Sequence, residues 1–316
     1  MTGLHARSES TIQTTQDWER GRVGSEKLRA AFRGDIESLV ALQDEVGADF
    51  VSDGQMTMDW QDFLRPITSG FEGVKKGAMV RWYDTNTFYF TPVVRGPLGS
   101  SGEALWNRLS KRLVKKHRMR VVIADPLTFS ELAENQYYSN QEELLFAYAD
   151  ALNDELRTLE KKGVSYVQFS SPSLVARFRD RPISREGLSQ LGEALRAAKR
   201  GISIRTGFHT IFGDASPYLP GIFDIIPTDD IGFDFTRTDP HSLSATRKGL
   251  IAGIVDSRTT YLESEDELRE IVEEILDYTG TKKLTLAPSS DLRFVPRISA
   301  DENLRRIGDL RRELAK

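Results

Sequence analysis

Hydrophobic and polar positions follow two alternating patterns along most of the chain. Short apolar runs of strand length recur, and longer segments with apolar residues at helical spacing lie between them. Several of the short runs are almost continuously apolar, which is typical of parallel strands covered on both faces. The eight strand candidates are residues 10–16, 47–55, 119–126, 164–172, 203–210, 230–236, 250–257 and 283–290.

The helical segments carry recognisable start and stop residues. Ser139 with Glu142 predicts a capping box before one long helix, and Gly163 predicts its end. Ser264 with Glu267, and Gly280 after them, predict the same for a later helix. Eight strands that each precede a helical stretch predict an α/β fold of the (β/α)8 TIM-barrel type. The rival doubly wound sheet is disfavoured because the sequence has no early Gly-rich phosphate turn.

Residues 68–98 lie between the second and third strand candidates and are too long and too β-rich for a plain loop. We expect an inserted β-hairpin here, within a single domain that spans residues 1–316. The stretch "RWYDTNTFYFTP" sets five aromatic residues around a polar trio. We expect Asp84 and Asn86 to organise the turn, with three rings covering the mouth of the barrel. Those rings are Tyr83, Phe88 and Phe90.

Composition narrows the function classes. Of the 316 residues, 39% are hydrophobic and 28% charged, which is ordinary for a globular protein rather than a disordered one. The net charge of −4 disfavours a nucleic-acid-binding protein. No apolar run approaches a membrane span, and the first residues lack a signal-peptide core, so we expect a cytoplasmic protein without a membrane partner. The chain has no cysteine, which excludes disulfides, cysteine nucleophiles and thiolate metal sites.

Polar residues follow most of the strand candidates, where barrel enzymes carry their chemistry. His209 and Asp234 are either two metal ligands or hydrogen-bonded pocket residues. Arg237 and Arg258 are suited to bind carboxylate or phosphate, or form salt bridges with neighbouring aspartates. The full predicted pocket at the barrel top comprises Gln55, Asp125, Ser170, Ser171, His209, Asp234, Arg237, Asp256, Arg258 and Ser290.

Residues 103–118 predict an amphipathic helix with a strongly basic outer face. Such a face is most often simply solvated. It is alternatively a docking surface for an acidic partner or a polyanionic ligand.

The order of motifs resembles the cobalamin-independent methionine synthase family. The segments that carry the resemblance include "GADFVSDGQMTMDW", "RWYDTNTFYFTPVV", "VVIADPLTFSELA", "YVQFSSPSLV", "LIAGIVDSRTTY" and "LAPSSDLRFVP". The family has two related (β/α)8 barrels, an N-terminal one without metal and a C-terminal one with zinc. The Asp-Thr-Asn stretch and the wording "IFGD…GIVDSR" are most similar to the metal-free barrel.

The departures from the family pattern bear on the metal and the substrate. The resemblance implies zinc ligands, a His-x-Cys pair, an acid and a later cysteine, at positions held here by His209, Ile211, Asp234 and Ser290. We therefore expect no metal on this chain and expect zinc on a partner chain. The acids that hold the amino group of homocysteine in the family are replaced by the polar residues Ser170, Ser171 and Gln55.

The resemblance implies a methyltransferase component that acts with a separate zinc-bearing chain in methyl transfer from a folate-type donor to homocysteine. It also implies that Arg22 and Lys27 bind the polyglutamate tail of the folate, with help from the basic segment 103–118. One alternative is a metal-free decarboxylase of a polycarboxylate such as uroporphyrinogen, with Arg237 and Arg258 as carboxylate clamps. A second alternative is a non-catalytic barrel.

Overall fold

A parallel six-stranded sheet forms the centre of the computed structural model, which describes residues 3–57, 64–83, 87–176 and 182–315. Its strand order is β3-β5-β6-β7-β8-β9. Val51 adds a parallel bridge to Met119, immediately before β3. The six strands lie within the predicted runs: β3 Arg120–Ala124, β5 Tyr166–Ser170, β6 Arg205–His209, β7 Asp230–Asp234, β8 Gly249–Val255 (which starts one residue early) and β9 Leu284–Pro288.

Residues 3–7 contact both edges of this sheet. The His5 N–H donates to the carbonyl of Gly54 at 3.1 Å, beyond the Val51 bridge. The Leu4 N–H donates to Asp291 Oδ1 at 3.2 Å, just after β9. This segment is buried.

The prediction of a first strand at residues 10–16 is wrong, because they lie in helix α1, Glu9–Glu19. Ser8 caps this helix by accepting a hydrogen bond from the Thr11 N–H. Residues 10–16 form one of the short runs predicted to be extended, but a serine N-cap stabilises the helical alternative by about 0.5–2 kcal/mol. Thr11 is the one buried residue of α1.

Helices cover the sheet. The Ser264 capping box is present at the start of α9, and Gly280 ends that helix in the left-handed conformation. At the start of α5 the cap is Asn140 rather than Ser139, since the Glu143 N–H donates to Asn140 Oδ1. The remaining helices are α2 Ser25–Glu45, α3 Arg65–Gly70, α4 Pro126–Leu132, α5 Gln141–Lys162, α6 Pro172–Ala176, α7 Arg185–Ala198, α8 Ile222–Ile225, α9 Glu265–Thr279 and α10 Arg297–Leu314.

The basic segment is shorter and tighter than predicted. It forms a 3-10 helix over Arg108–Lys115, which begins after Asn107 accepts a hydrogen bond from the Leu109 N–H. Its charged side chains are largely exposed, as on a solvated face.

An antiparallel pair of strands, β1 Phe71–Arg81 and β2 Phe88–Ser100, lies in sequence between Val51 and β3. A short parallel strand, β4 Glu134–Asn135, extends the pair. Gly73 has a positive φ of 76°, and a Cβ there would lie 2.3 Å from the Pro97 carbonyl, so the backbone approach requires glycine. Asp84 and Asn86, expected to organise the turn, lie outside the described residues.

Two of the three rings expected over the barrel mouth are elsewhere. Phe88 is 42% exposed, and the ring of Phe90 is covered by Lys76 Nζ at 3.4 Å. Side chains alternate between the two faces of a strand, so Phe88 and Phe90 share one face of β2. That face points away from the central sheet.

The core consists of two hydrophobic clusters. The larger joins the strands to α4, α5, α7 and α9, and the smaller joins α2 and α10 to Val51 and Met56. Within the described ranges, none of the helices has the length and apolar character needed to span a membrane.

Candidate functional site

The carboxyl ends of the central strands bring several predicted pocket residues together. Ser170 on β5 pairs in register with His209 on β6, and His209 pairs with Gly232 on β7. Asp234 ends β7 next to Gly253 on β8. These residues form a polar cluster at the carboxyl ends of the strands, where parallel α/β folds place their functional residues.

His209 is fully buried and fits only because two neighbours are glycines. A Cβ at Gly232 would lie 2.8 Å from His209 Cδ2, and one at Gly253 would lie 3.2 Å from Nε2. Burial lowers the pKa of His209 to about 3, so the imidazole is neutral at neutral pH.

The tautomer of His209 follows from a chain of polar contacts. The Arg120 guanidinium donates to Gln168 Oε1, which orients the amide. Gln168 Nε2 then faces His209 Nδ1 at 3.4 Å and acts as the donor. A neutral ring that accepts at Nδ1 carries its proton on Nε2, and that atom has no hydrogen-bond partner among the described residues.

Two buried carboxyl groups lie at the same end of the sheet, on either side of β6 in the strand order. Asp125 follows β3 and caps α4, with Oδ1 accepting from the Thr128 N–H at 3.1 Å. Asp234 Oδ1 accepts from the N–H of Thr236 at 3.0 Å and from its hydroxyl at 2.5 Å. In both groups Oδ2 lacks a partner at hydrogen-bonding distance in the described part of the chain.

Burial raises the pKa of both carboxyl groups to about 6. Hydrogen bonds from Thr128 act against burial at Asp125, and those from Thr236 do so at Asp234. Each group is therefore mostly ionised at neutral pH and presents one unpaired oxygen, which suits a cationic ligand group.

The two predicted anion-binding arginines differ. Arg258 is engaged by Asp256, with Nε 2.8 Å from Oδ1 and Nη2 3.0 Å from Oδ2, and it also donates to Thr236 Oγ1 at 2.9 Å. The salt-bridge interpretation is therefore the correct one for Arg258. Arg237 is exposed, and its backbone N–H donates to the Asp234 carbonyl.

The serines and Gln55 are buried near the same end. Ser290 shares a short hydrogen bond with Ser257, and Ser170 accepts from Gln168 at 3.4 Å. The Ser171 N–H donates to the His209 carbonyl at 2.9 Å. Gln55 adopts a positive φ of 48° and lines the sheet end together with Ser170.

Trp82 closes this end of the sheet. Its ring stacks on Phe294 at 6.0 Å and meets Phe212 edge-on at 5.1 Å. The space beneath it, beside Gln55 and Ser170, is about 20 Å³, which holds about one water. The sequence analysis quoted Trp82 within the aromatic stretch but gave it no role.

A larger cleft of about 810 Å³ lies on the outer side of Trp82. Its walls are mainly apolar, with Arg258 at one side, and carry the carboxylates of Glu131 and Glu142. The Trp82 ring thus separates a ligand-sized cleft from the buried polar residues. The apolar cleft residues are Tyr83, Leu127, Leu132, Leu145, Ile183 and Phe212.

The donor set does not fit zinc. His209 Nε2 and Asp234 Oδ2 are unpartnered, but the position after Thr210 is the apolar Ile211, and the Ser290 hydroxyl bonds to Ser257. A tetrahedral zinc site needs at least three protein ligands. In the described ranges, no group of three histidine or acidic side chains lies close enough to hold a metal ion.

Arg22 and Lys27, the predicted tail-binding residues, lie at the junction of α1 and α2, and both are exposed. Arg22 Nη1 forms an ion pair with Asp17 Oδ1 at 3.3 Å. Neither residue lines the small space beneath Trp82 or the larger cleft on its outer side.

Residues 46–280 match the family described as "Cobalamin-independent synthase, N-terminal domain". The chain is 24% identical to a methionine synthase of Sulfolobus acidocaldarius over 308 residues, which cover 96% of this chain and 87% of that one.

Two solved structures share the fold. A putative vitamin-B12 independent methionine synthase of Listeria monocytogenes aligns with a TM-score of 0.76 at 17% identity, covering 99% of this chain and 96% of that one. A B12-independent methionine synthase of Shewanella, solved with selenomethionine, aligns with a TM-score of 0.72 at 18% identity, covering 93% and 91%.

Proposed function

This chain belongs to the cobalamin-independent methionine synthase family, a family of methyltransferases, and we propose that it is a component without zinc of such an enzyme. In this proposal a folate-type donor supplies the methyl group and the thiol of homocysteine receives it. A separate chain with a zinc-bearing barrel completes the active site.

The proposal includes a closed (β/α)8 barrel. Residues 3–7 act as its first strand, between the Val51 segment and β9, and the β1–β2 pair is an insertion between the second and third strands. The hydrogen bonds from His5 to Gly54 and from Leu4 to Asp291 support this closure, since they join the two sheet edges. The TM-scores of 0.76 and 0.72 to the two synthases also support it.

The proposed pairing of a zinc-free chain with a zinc-bearing chain rests on the donor atoms at the carboxyl ends of the strands. With Ile211 and a hydrogen-bonded Ser290 in place of thiolates, these two positions supply no ligand for a zinc ion that would ionise the homocysteine thiol. Zinc on the partner would supply that chemistry by lowering the pKa of a bound thiol.

The residues of this chain bind and orient the amino-acid substrate. The unpaired Oδ2 atoms of Asp125 and Asp234 accept hydrogen bonds from its ammonium group. His209 Nε2–H donates to its carboxylate without adding a charge. Trp82 excludes water, and its ring must move before the substrate reaches these groups, because the space beneath it is about 20 Å³.

Arg22 and Lys27 attract the polyglutamate tail of the donor. Both are exposed, and the charged segment Arg108–Lys115 adds further positive charge on the protein surface. Exposed charges of this kind increase the rate and strength of encounter with a polyanion more than they fix its position.

The decarboxylase alternative loses its main support. It needs a guanidinium pair that clamps carboxylates, but Arg258 is already held by Asp256, and the relatives reported above are methionine synthases. The non-catalytic alternative becomes an outcome of the experiment.

The test measures homocysteine methylation by this chain alone, by a zinc-bearing barrel from the same cell alone, and by their mixture. We expect the mixture to exceed the sum of the two separate rates. Asp234→Asn in this chain should raise the KM for homocysteine in the mixture, whereas the exposed control Asp239→Asn should leave it unchanged. Methylation by this chain alone with bound zinc would contradict the proposal, and a mixture no faster than the partner would favour a non-catalytic role.

A second measurement addresses the tail. Lys27→Gln should raise the KM for a triglutamylated donor by about two- to fivefold, a surface-charge effect of up to about 1 kcal/mol, and leave a monoglutamylated donor unaffected. The exposed Lys282→Gln serves as the matched control. Equal effects on both donors would contradict a role in tail binding.

A further inference from the structure

A separate cavity of about 340 Å³ lies at the opposite end of the sheet, where the strands begin. One wall is β9 from Leu284 to Leu286, and these three residues are only half-buried, unlike the fully buried β7 and β8. Residues 46–50 and part of α10 form the other walls. The contacts of residues 3–7 with both sheet edges, at Gly54 and Asp291, are at the other end.

Positive charge dominates the lining of this cavity. Two carboxylates, Asp49 and Asp230, accompany five cationic side chains. The cationic residues are Arg118, Arg120, Arg205, Lys283 and Arg311.

Both carboxylates are already engaged. Asp230 accepts two hydrogen bonds from Arg205, at 2.8 and 2.6 Å, and a third from the Tyr166 hydroxyl at 2.9 Å. Asp49 pairs with Arg311 at 3.4 Å. Arg118, Arg120 and Lys283 therefore remain as cations without an acidic partner in the described part of the structure.

Arg120 is the most unusual of the three. It is 3% exposed, and one of its terminal nitrogens donates to Gln168 Oε1. Its Nε has no hydrogen-bond partner within the described ranges. An unpaired N–H of a buried guanidinium destabilises the fold, and an anionic ligand oxygen would accept its hydrogen bond.

Aromatic rings hold a second cation at the cavity edge. The Arg118 guanidinium lies 4.2 Å from the centre of the Phe50 ring, and Phe50 packs against Tyr166 at 4.8 Å. Stacking on the ring fixes the plane of a guanidinium and leaves the N–H groups at its edge available for an oxyanion.

We propose that this cavity binds a small polyanion whose oxygens, of phosphate or carboxylate type, contact Arg118, Arg120 and Lys283. Leu284, Leu286 and Ile307 provide apolar contact for the body of the ligand. The volume of the cavity lies at the small end of the range of about 300–1,000 Å³ typical of ligand sites. This proposal does not rest on the methyl-transfer proposal, although Arg120 also donates to Gln168, the neighbour of His209 at the other end of the sheet.

Titration calorimetry with inorganic phosphate, pyrophosphate and citrate, at constant ionic strength set by potassium chloride, tests the proposal. We expect saturable binding of at least one of these anions and a Tm that rises with its concentration. Lys283→Gln should weaken that binding by about tenfold, because it removes one charged hydrogen-bond donor from the lining.

The chain offers a matched control in the adjacent lysine. Lys282 is exposed and does not line the cavity, so Lys282→Gln removes the same charge from the same loop and should leave the affinity unchanged. Leu286→Trp should abolish binding by filling the cavity, and Asp234→Asn at the other end should not affect it.

Lack of saturable binding of all three anions would overturn the proposal. Binding that Lys283→Gln leaves unchanged, or that Lys282→Gln weakens equally, would also overturn it, because either result assigns the effect to surface charge. The two lysine variants decide the question even if Leu286→Trp does not fold.

Discussion

Two clusters of buried polar groups, one at each end of the central sheet, differ in how far their hydrogen bonds are satisfied. Where the strands begin, Asp230 accepts hydrogen bonds from both Arg205 and Tyr166, so this cluster is satisfied internally. Where the strands end, His209 Nε2 and the Oδ2 atoms of Asp125 and Asp234 lack partners among the described residues. The first arrangement stabilises the fold, and the second leaves groups available to a ligand.

This difference has an energetic meaning. A buried polar group without a partner costs about 1–3 kcal/mol, which the rest of the fold must offset. Such costs are expected where a ligand completes the hydrogen bonds. Arg120 contacts both ends of the sheet. It lines the cavity where the strands begin, and it donates to Gln168, which lies beside His209.

Breaking the satisfied cluster gives the largest expected effect. Asp230→Ala leaves the buried Tyr166 hydroxyl and the Arg205 charge without their acceptor and should lower the free energy of unfolding by about 3–5 kcal/mol. Urea denaturation measures it. Asp229→Asn, one residue earlier and half-exposed, should cost about 1 kcal/mol. Similar losses in both variants would contradict the special role of Asp230.

Removing the ring that closes the other end comes next. Trp82→Ala should lower the free energy of unfolding by about 3–5 kcal/mol, at or below the Asp230 effect, because it leaves a cavity beside Phe212 and Phe294. The exposed Phe88→Ala should change it by less than about 0.5 kcal/mol.

The chain has no cysteine, so a single Ser170→Cys reports access to the mouth. A small thiol reagent should label this cysteine severalfold faster when Trp82 is alanine. Equal labelling rates would mean that the Trp82 ring does not control access.

Asp234→Asn sharpens the comparison through pH. Burial raises the pKa of Asp234 from 3.8 to about 6, so its contribution to stability is full below about 3.8 and is lost as pH rises through about 6. Asparagine keeps the Thr236 hydrogen bonds without that loss. Relative to the unsubstituted protein, the variant should gain up to about 1.4 kcal/mol per pH unit across this window. Urea unfolding across this window measures it, and a constant difference would contradict the buried carboxylate.

His209→Gln should change the pH dependence of stability in the opposite direction from Asp234→Asn. Its effect on stability at neutral pH should be the smallest of these variants. Burial lowers the pKa of His209 from 6.5 to about 3, so the unsubstituted protein loses stability as pH falls below about 6.5. The variant should escape this loss, gaining stability relative to the unsubstituted protein only on acidification. Urea unfolding at several pH values measures it. A stability difference between the two proteins that does not grow as the pH falls below 6.5 would contradict the lowered pKa of His209.

The pattern of apolar runs predicted the parallel strands within about two residues, because strands covered on both faces leave a continuous apolar run in the sequence. The capping box of Ser264 and Glu267 is local chemistry and is confirmed. The strand prediction for residues 10–16 was wrong because the segment is short and mostly polar, and the cap at Ser8 favours a helix there.

The candidate site was predicted less completely. Position after a strand brought Asp125, Ser170, His209 and Asp234 to one end of the sheet, as the sequence analysis expected. Nothing in the sequence distinguished Arg258, held by Asp256, from the exposed Arg237. Trp82 was missed because its role depends on Phe212 and Phe294, which are distant in the chain.

The sequence by itself determined the parallel α/β architecture, the absence of thiolate ligands and the resemblance to a methyltransferase family. These properties depend on residue type, order and local spacing. Only the tertiary structure decided which buried polar atoms have partners, which ring closes the mouth and where unpaired cations surround a second cavity. Those outcomes depend on contacts between residues far apart in the chain, whose distances no local pattern specifies.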